Sequence, residues 1–428
     1  MTSWRYRLAR KLLTPPSPRT ITRAAKWWIG SIAAAQAVTL ATVMINDHLR
    51  KRRKFTADSF LTGPPEATSV AGNCVTTYTD ARALYEAMLA SIRAAKHHIY
   101  FETYIWKSDE WGERFKHELI QAAKRGVDVR IIYDAFGNWV VDPRLFAFPK
   151  MANLHVLRFP TFNWGMLSLS LRHFGRDHRK ILVVDGVDGY TGGYNIGSLY
   201  HAEWRDTHVR VQGEGAWELE NAFVDFWNEH RRGKLPALPD AGARSWNARI
   251  RAAQNTPTKW LFPVRGLYID ACERATDRVW ITQAYFIPDQ EILDALIAAA
   301  RRGVDVKVLV PEISNHVVAD WVARSHYSRL LEAGVELWLY RGAMIHAKTA
   351  TVDGRWSTIG TANIDRLSLR GNYEVNLEFF DYGQAQNMEA VFLRDLSQSR
   401  RLTLEEWDNR PLIHRVGERL LRPFAPLI

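Results

Sequence analysis

Cysteine is nearly missing from this chain of 428 residues; Cys74 and Cys272 are the only two. One pair cannot make a disulfide framework, and no C-x-x-C or Cys/His cluster supplies zinc ligands, so neither redox chemistry nor a structural metal has a basis in the residues. An acidic excess is missing too: 57 Lys and Arg stand against 46 Asp and Glu, a formal charge of +11. That balance points to an acidic partner, whether nucleic acid, anionic lipid or a phosphorylated substrate. Disorder is excluded by 47% apolar and 24% charged residues. The length exceeds one ordinary domain and suits two or three.

Charge of either sign is absent from Trp27 to Asn46, twenty residues reading WWIGSIAAAQAVTLATVMIN. As a helix this run is roughly 30 Å long, the thickness of a bilayer's hydrocarbon. Basic residues precede it, RKRRK follows at 50–54, and Trp27 and Trp28 stand where an interfacial belt belongs. A membrane anchor over about residues 27–46 is therefore expected, with a surface-lying or core helix as alternatives. Since both flanks are basic, orientation is not readable.

The chain repeats itself. AAKRGVDVRIIY at 122–133 matches AARRGVDVKVLV at 299–310, and each follows an apolar strand-like run, HHIYFETYIW at 97–106 and RVWITQAYFI at 278–287. Strand, amphipathic helix closing at a Gly and second strand make a βαβ unit. The expected organisation is a basic and apolar N-terminal segment (1–54), a connector (55–72), one half (73–230), a linker rich in Pro, Ala, Gly and Arg (231–257) and a second half (258–428). The expected fold class is α/β: two similar α/β/α halves with mostly parallel sheets, related by a pseudo-twofold axis. The halves differ in one stretch, since 52 residues separate Gly126 from His178 but only 43 separate Gly303 from His346. The excess includes FPTFNWGMLSLSLRHF at 159–174. Its apolar residues, Phe159, Phe162, Trp164, Met166 and Leu167 among them, read either as a lipid-facing groove or as core.

HRKILVVDG at 178–186 recurs as HAKTATVDG at 346–354, and both extend to H-x-K-x4-D-x6-G-[GT]-x-N. On a strand, His178 and Lys180 share a face, as do His346 and Lys348, so each half offers an imidazole and a fixed positive charge to one anion. Asn195 and Asn363 add amide donors. Asp206 lies 28 residues after His178, and Glu374 lies 28 after His346. A carboxylate is what an imidazole needs to fix its tautomer. Asp185 and Asp353 complete the motif, but just before Gly186 and Gly354 they equally fit turn formation.

The duplicated motif resembles the phospholipase D superfamily. TGGYNIGSLY, EWRDTHVRVQG, AYFIPD and IGTANIDRLSLRGNYEVNLE are similar to its bacterial cardiolipin synthase branch, over roughly residues 72–428. Gly193 and Thr361 stand where many members have Ser. The resemblance implies phosphodiester exchange without metal or cofactor, with His178 as nucleophile, His346 as general acid and base, Lys180, Lys348, Asn195 and Asn363 on the phosphoryl oxygens, and Asp206 and Glu374 orienting the imidazoles. It further implies transfer of a phosphatidyl group from one phosphatidylglycerol to another, at the bacterial inner membrane. Hydrolysis by a phospholipase D or a nuclease is the alternative. The apolar segments favour lipid over nucleic acid, whose binding calls for a groove of basic residues interleaved with stacking aromatics.

Overall fold

A computed structural model describes residues 60–162, 175–240 and 248–411, with a few isolated positions besides. In the first half run β1 (Glu66–Val70), β2 (Asn73–Tyr78), β3 (His98–Thr103), β4 (Asp128–Asp134), β5 (Leu154–Phe159), β6 (Ile181–Val184), β7 (Asp188–Gly192), β8 (Trp204–Arg205) and β9 (His208–Gln212). The second half carries β10 (Ile250–Asn255), β11 (Arg278–Gln283), β12 (Asp305–Pro311), β13 (Glu336–Tyr340), β14 (Met344–Ile345), β15 (Lys348–Val352), β16 (Trp356–Gly360), β17 (Glu374–Phe379) and β18 (Ser399–Leu402). Among the described residues sixteen of them form two eight-stranded sheets, ordered β1-β2-β9-β7-β6-β3-β4-β5 and β10-β17-β16-β15-β11-β12-β13-β18, and β8 and β14 pair as a third. β1 thus falls inside the stretch read as a connector, and β10 begins inside the stretch read as a linker.

The repeated segments fold as their spacing predicts. Asp109 caps the Glu110–Lys124 helix by accepting from Gly112 N, and Asp289 caps the Gln290–Arg301 helix by accepting from Ile292 N. Gly126 and Gly303 end the two turns at φ 94° and 90°, a conformation that costs other residues a Cβ clash. β3, β4 and β5 then run parallel, as do β11, β12 and β13.

The expectation of mostly parallel sheets is wrong. Every other pairing in both sheets is antiparallel. Two of these pairings follow from the motif's own Asp-Gly. Asp185 and Gly186 have φ 54° and 68°, Asp353 and Gly354 have 53° and 61°, and Val187 N and Arg355 N close the turns on Val184 O and Val352 O. Two successive left-handed residues make the hairpin turn whose twist matches antiparallel strands, so β6–β7 and β15–β16 fold straight back.

The halves share a core. Val209 and Val211 from β9 meet Ile359, Val375, Leu377 and Phe379 from β16 and β17, all with no solvent exposure. Burying six such side chains contributes on the order of 10 kcal/mol, comparable with the whole stability of a domain. The second half's Tyr382–Ser397 helix also crosses onto the first sheet. Its Gln384 and Asn387 donate to Thr77 Oγ1 at 3.1 and 3.2 Å, and Arg394 pairs with Glu66 at 3.1 Å.

Among the described residues no helix is long and apolar enough to cross a membrane. The expected anchor at 27–46, like Trp164, Met166 and Leu167, lies outside the described residues.

Candidate active site

Each motif histidine sits at the start of its strand, where the backbone is bridged to the other half. His178 N donates to Tyr373 O at 3.1 Å and His346 N to Arg205 O at 2.7 Å. β14 pairs in parallel with β8 to extend the second bridge, while Asp177 and Tyr373 form the first. The residue after each acceptor is a carboxylate: Glu374 follows Tyr373, and Asp206 follows Arg205. Both bridges therefore deliver a carboxylate to the opposite half's imidazole.

The side chains complete the crossing. His178 Nδ1 lies 3.0 Å from both oxygens of Glu374, and His346 Nδ1 lies 2.7 Å from Asp206 Oδ2. The equal offset of 28 residues suggested a carboxylate for each half-site, but each imidazole takes the one from the other half. With Nδ1 engaged in this way, each ring keeps Nε2 for other partners.

The two carboxylates are held differently, which accounts for Gly193 and Thr361. Thr361 Oγ1 donates to Glu374 Oε2 at 2.6 Å. At Gly193 a Cβ would stand 2.0 Å from Asp206 Oδ1, so the space that a side chain would take is filled by the carboxylate itself. Asp206 is compensated by Thr207 N, which donates to its Oδ1 at 2.7 Å.

Both lysines are buried and fold back along their strands, Lys180 Nζ donating to His178 O at 2.7 Å and Lys348 Nζ to His346 O. Both asparagines are buried as well. Asn195 Oδ1 accepts from Ile105 N at 3.3 Å, which leaves its NH₂ as the free end, and Asn363 Oδ1 has no partner among the described residues. The two imidazoles and two asparagines line one cavity of about 410 Å³, together with Tyr104, Trp204, Tyr285, Asp365 and Asn372.

Burial dominates the electrostatics of the site. Burial, with the Lys348 ammonium, pushes His346 down to about 3, and burial likewise lowers His178. Burial also brings Lys180 down to about 8 and Lys348 to about 7, the latter helped by Lys180 itself. Asp206 keeps its charge: burial raises it, but His346, Lys348 and the Thr207 amide outweigh that and hold it below the usual carboxylate range. A phosphodiester anion beside the two imidazoles and two lysines would favour the protonated form of all four groups.

At three positions that carried two readings, the structure favours the structural one. Asp185 accepts from the backbone N–H of Lys96, His97 and His98, and Asp353 from those of Thr276, Asp277 and Arg278. Both lie beyond the far ends of their strands, so they brace the hairpin turns against the loops entering β3 and β11 and take no part in the cavity. Phe159 is core, packed on Phe226, His230 and Tyr373, because an alternate position of β5 faces inward there. Phe162 is exposed.

Sequence reasoning passed over the rings that flank the imidazoles. Tyr104 lies edge-on to His178 and Trp204 tilts over His346, each with centroids 4.7 Å apart. Only their closeness to quoted segments, at the end of HHIYFETYIW and inside EWRDTHV, hinted at this. Asn372 and Asp365 were also missed. Asn372 holds Arg176 N through its Oδ1 at 3.0 Å, and Asp365 caps the short Arg366–Arg370 helix.

A duplicated α/β unit that brings two carboxylate-braced imidazoles to one cavity, each with a buried lysine folded behind it on the same strand, is the arrangement of a phospholipase D-like enzyme. A family model described as "Cardiolipin synthase, PLD-like domain" matches residues 88–227 and 268–396. The chain belongs to that cardiolipin synthase family. It is 35% identical over 367 residues to the major cardiolipin synthase of Bacillus subtilis (strain 168), spanning 83% of this chain and 76% of that one. The cardiolipin synthase of Geobacillus sp. (strain WCH70) is 33% identical over 361 residues, with 82% and 71% covered. A crystal structure of phosphatidylserine synthase from Haemophilus influenzae Rd KW20 shares the fold, at a TM-score of 0.64 and 15% identity over 85% of this chain and 95% of that one.

Proposed function

We propose that the protein makes cardiolipin from two phosphatidylglycerol molecules with release of glycerol, through a phosphohistidine on His178. His178 Nε2 forms a bond to phosphorus as the bond from phosphorus to the glycerol oxygen breaks. His346 Nε2–H gives its proton to the leaving oxygen. A second phosphatidylglycerol then enters, His346 takes the proton of its glycerol hydroxyl, and the new P–O bond forms as the P–N bond breaks. Lys180, Lys348, Asn195 and Asn363 hold the phosphoryl oxygens throughout.

The observation that carries this reading is the crossed pair of carboxylates, which fixes both imidazoles with Nδ1 engaged and Nε2 free to react. Glu374 and Asp206 support the imidazolium that each ring becomes in its turn. Burial and the Lys348 ammonium hold His346 low. A bound phosphodiester anion beside Lys348 raises that ring toward the range a general acid needs.

Incubation of purified protein with labelled phosphatidylglycerol tests the proposal. Cardiolipin with free glycerol is the expected outcome; phosphatidic acid alone means that water is the acceptor, and no lipid turnover overturns the reading.

A further inference from the structure

Four exposed apolar side chains stand together beside the cavity, and the chemistry above uses none of them. Phe136, Trp139 and Val140 belong to the loop leaving β4 and are 48, 73 and 83% exposed, and Phe162, past the end of β5, is 54% exposed. Arg176 ties them into one patch. Its guanidinium lies 4.4 Å above the Phe136 ring, and its Nη1 donates at 2.7 Å to the carbonyl of Thr161, next to Phe162.

The loop is clamped. Phe136 N and Gly137 N donate to Asp134 Oδ1 at 2.7 and 2.8 Å. Asn138, buried within the loop, donates to Tyr104 O and Asp134 O and accepts from Trp106 N. Gly137 lies so close to Tyr104 that a Cβ would meet its carbonyl at 2.5 Å. Tyr104 is the ring against His178. Trp139 and Val140 are thus displayed at the tip of a rigid segment that is fastened to the cavity wall.

Rigid display of large apolar groups to water is uncommon unless something covers them. We propose that loop 136–140, with Phe162 and Arg176, seats the mouth of the cavity on an anionic phospholipid bilayer. Trp139 and Val140 enter the interfacial layer, and Arg176 faces the lipid phosphates. Three features favour a bilayer over a protein partner. Tryptophan is the side chain best suited to the interface between headgroups and chains. A guanidinium at the edge of the patch matches phosphate. The cavity behind it, on the function proposed above, must draw its substrate from a membrane.

Two measurements test this on the full chain. In the first, Val140→Cys is spin-labelled in a Cys74→Ser background and reconstituted into vesicles of phosphatidylglycerol and phosphatidylcholine, with Arg274→Cys as the exposed control. The label at 140 should be reached by dissolved oxygen and shielded from an aqueous nickel chelate. Equal access of the chelate to both labels overturns the proposal, whatever the enzyme does. In the second, Trp139→Glu and Val140→Glu are assayed on vesicle-borne long-chain phosphatidylglycerol and on a short-chain form below its micelle concentration. Loss of one buried apolar side chain corresponds to about ten-fold or more in kcat/KM on vesicles, with the short-chain rate unchanged. A loss equal on both substrates, or on neither, overturns the proposal. Absence of turnover by the parent protein on either substrate defeats the functional reading and leaves the label experiment standing.

Discussion

Replacing Gly193 by Ala should disable the active site without touching any reacting residue. The added Cβ would lie 2.0 Å from Asp206 Oδ1 and 2.5 Å from its Oδ2, where real contacts are not closer than 3.0 Å. The carboxylate must therefore retreat by about 1 Å, and its 2.7 Å hydrogen bond to His346 lengthens to about 3.7 Å, outside hydrogen-bonding range. Backbone strain does not enter, since φ at Gly193 is not positive. A displacement of this size at a catalytic group costs about 10²-fold in rate, and complete loss of an orienting Asp about 10⁴-fold. The assay is the rate of product formation from labelled phosphatidylglycerol by Gly193→Ala, alongside Asp206→Asn and with thermal unfolding to confirm the fold. Both variants should fall in kcat far more than they rise in KM. A folded Gly193→Ala enzyme within roughly threefold of the parent kcat/KM would refute the claim that Asp206 positions His346.

His178→Ala or His346→Ala should abolish turnover in a protein that still folds, as judged by circular dichroism; substantial residual rate in either sinks the two-histidine mechanism. The rate constant kcat/KM should decline as pH rises through about 7 to 8, because Lys348 and Lys180 lose their protons there in the free enzyme and only their charged forms hold a phosphodiester; a profile flat to pH 9.5 contradicts this. Asp395→Ala strips the partner from Arg205, which is paired at 2.7 Å with both side chains almost wholly buried, and should lower stability by about 3–5 kcal/mol in denaturant titrations. Asp185→Ala should lower the melting temperature, because three backbone N–H groups lose their acceptor, while kcat per folded molecule stays unchanged; a selective fall in kcat would return that residue to the chemistry.

Much of the site could be read from the chain because its parts are local. His178 and Lys180 share a strand face by the period of a strand, and the Gly/Asn extension follows at fixed distance. What could not be read is anything decided across the two halves. Asp206 and Glu374 carry the right spacing, yet an offset along the chain says nothing about which imidazole a carboxylate will meet; β8 against β14 and Asp177 against Tyr373 decide that. The parallel part of each sheet was legible in the βαβ repeat. Of the antiparallel remainder, only the β6–β7 and β15–β16 hairpins were written in the chain, as Asp185-Gly186 and Asp353-Gly354, which signal a turn but were credited also to the motif. Phe159 shows the limit of composition, since an apolar residue in a run facing a polar site serves lipid and core equally well until its neighbours, Phe226 and Tyr373, are known.

The crossing of Glu374 to His178 and Asp206 to His346 makes neither half of this molecule half an enzyme. Split at the linker, each fragment would keep an imidazole without its brace and a brace without its imidazole, so activity should return only when both fragments are mixed. Two identical copies of one half could build the same handshake, but every change would then strike both sides at once. With both halves in one chain, the sides are free to settle on different solutions: a short acid against a bare glycine on one, a long acid tied to a threonine hydroxyl on the other. On the mechanism proposed above, that freedom lets the two rings take up different duties in a single reaction.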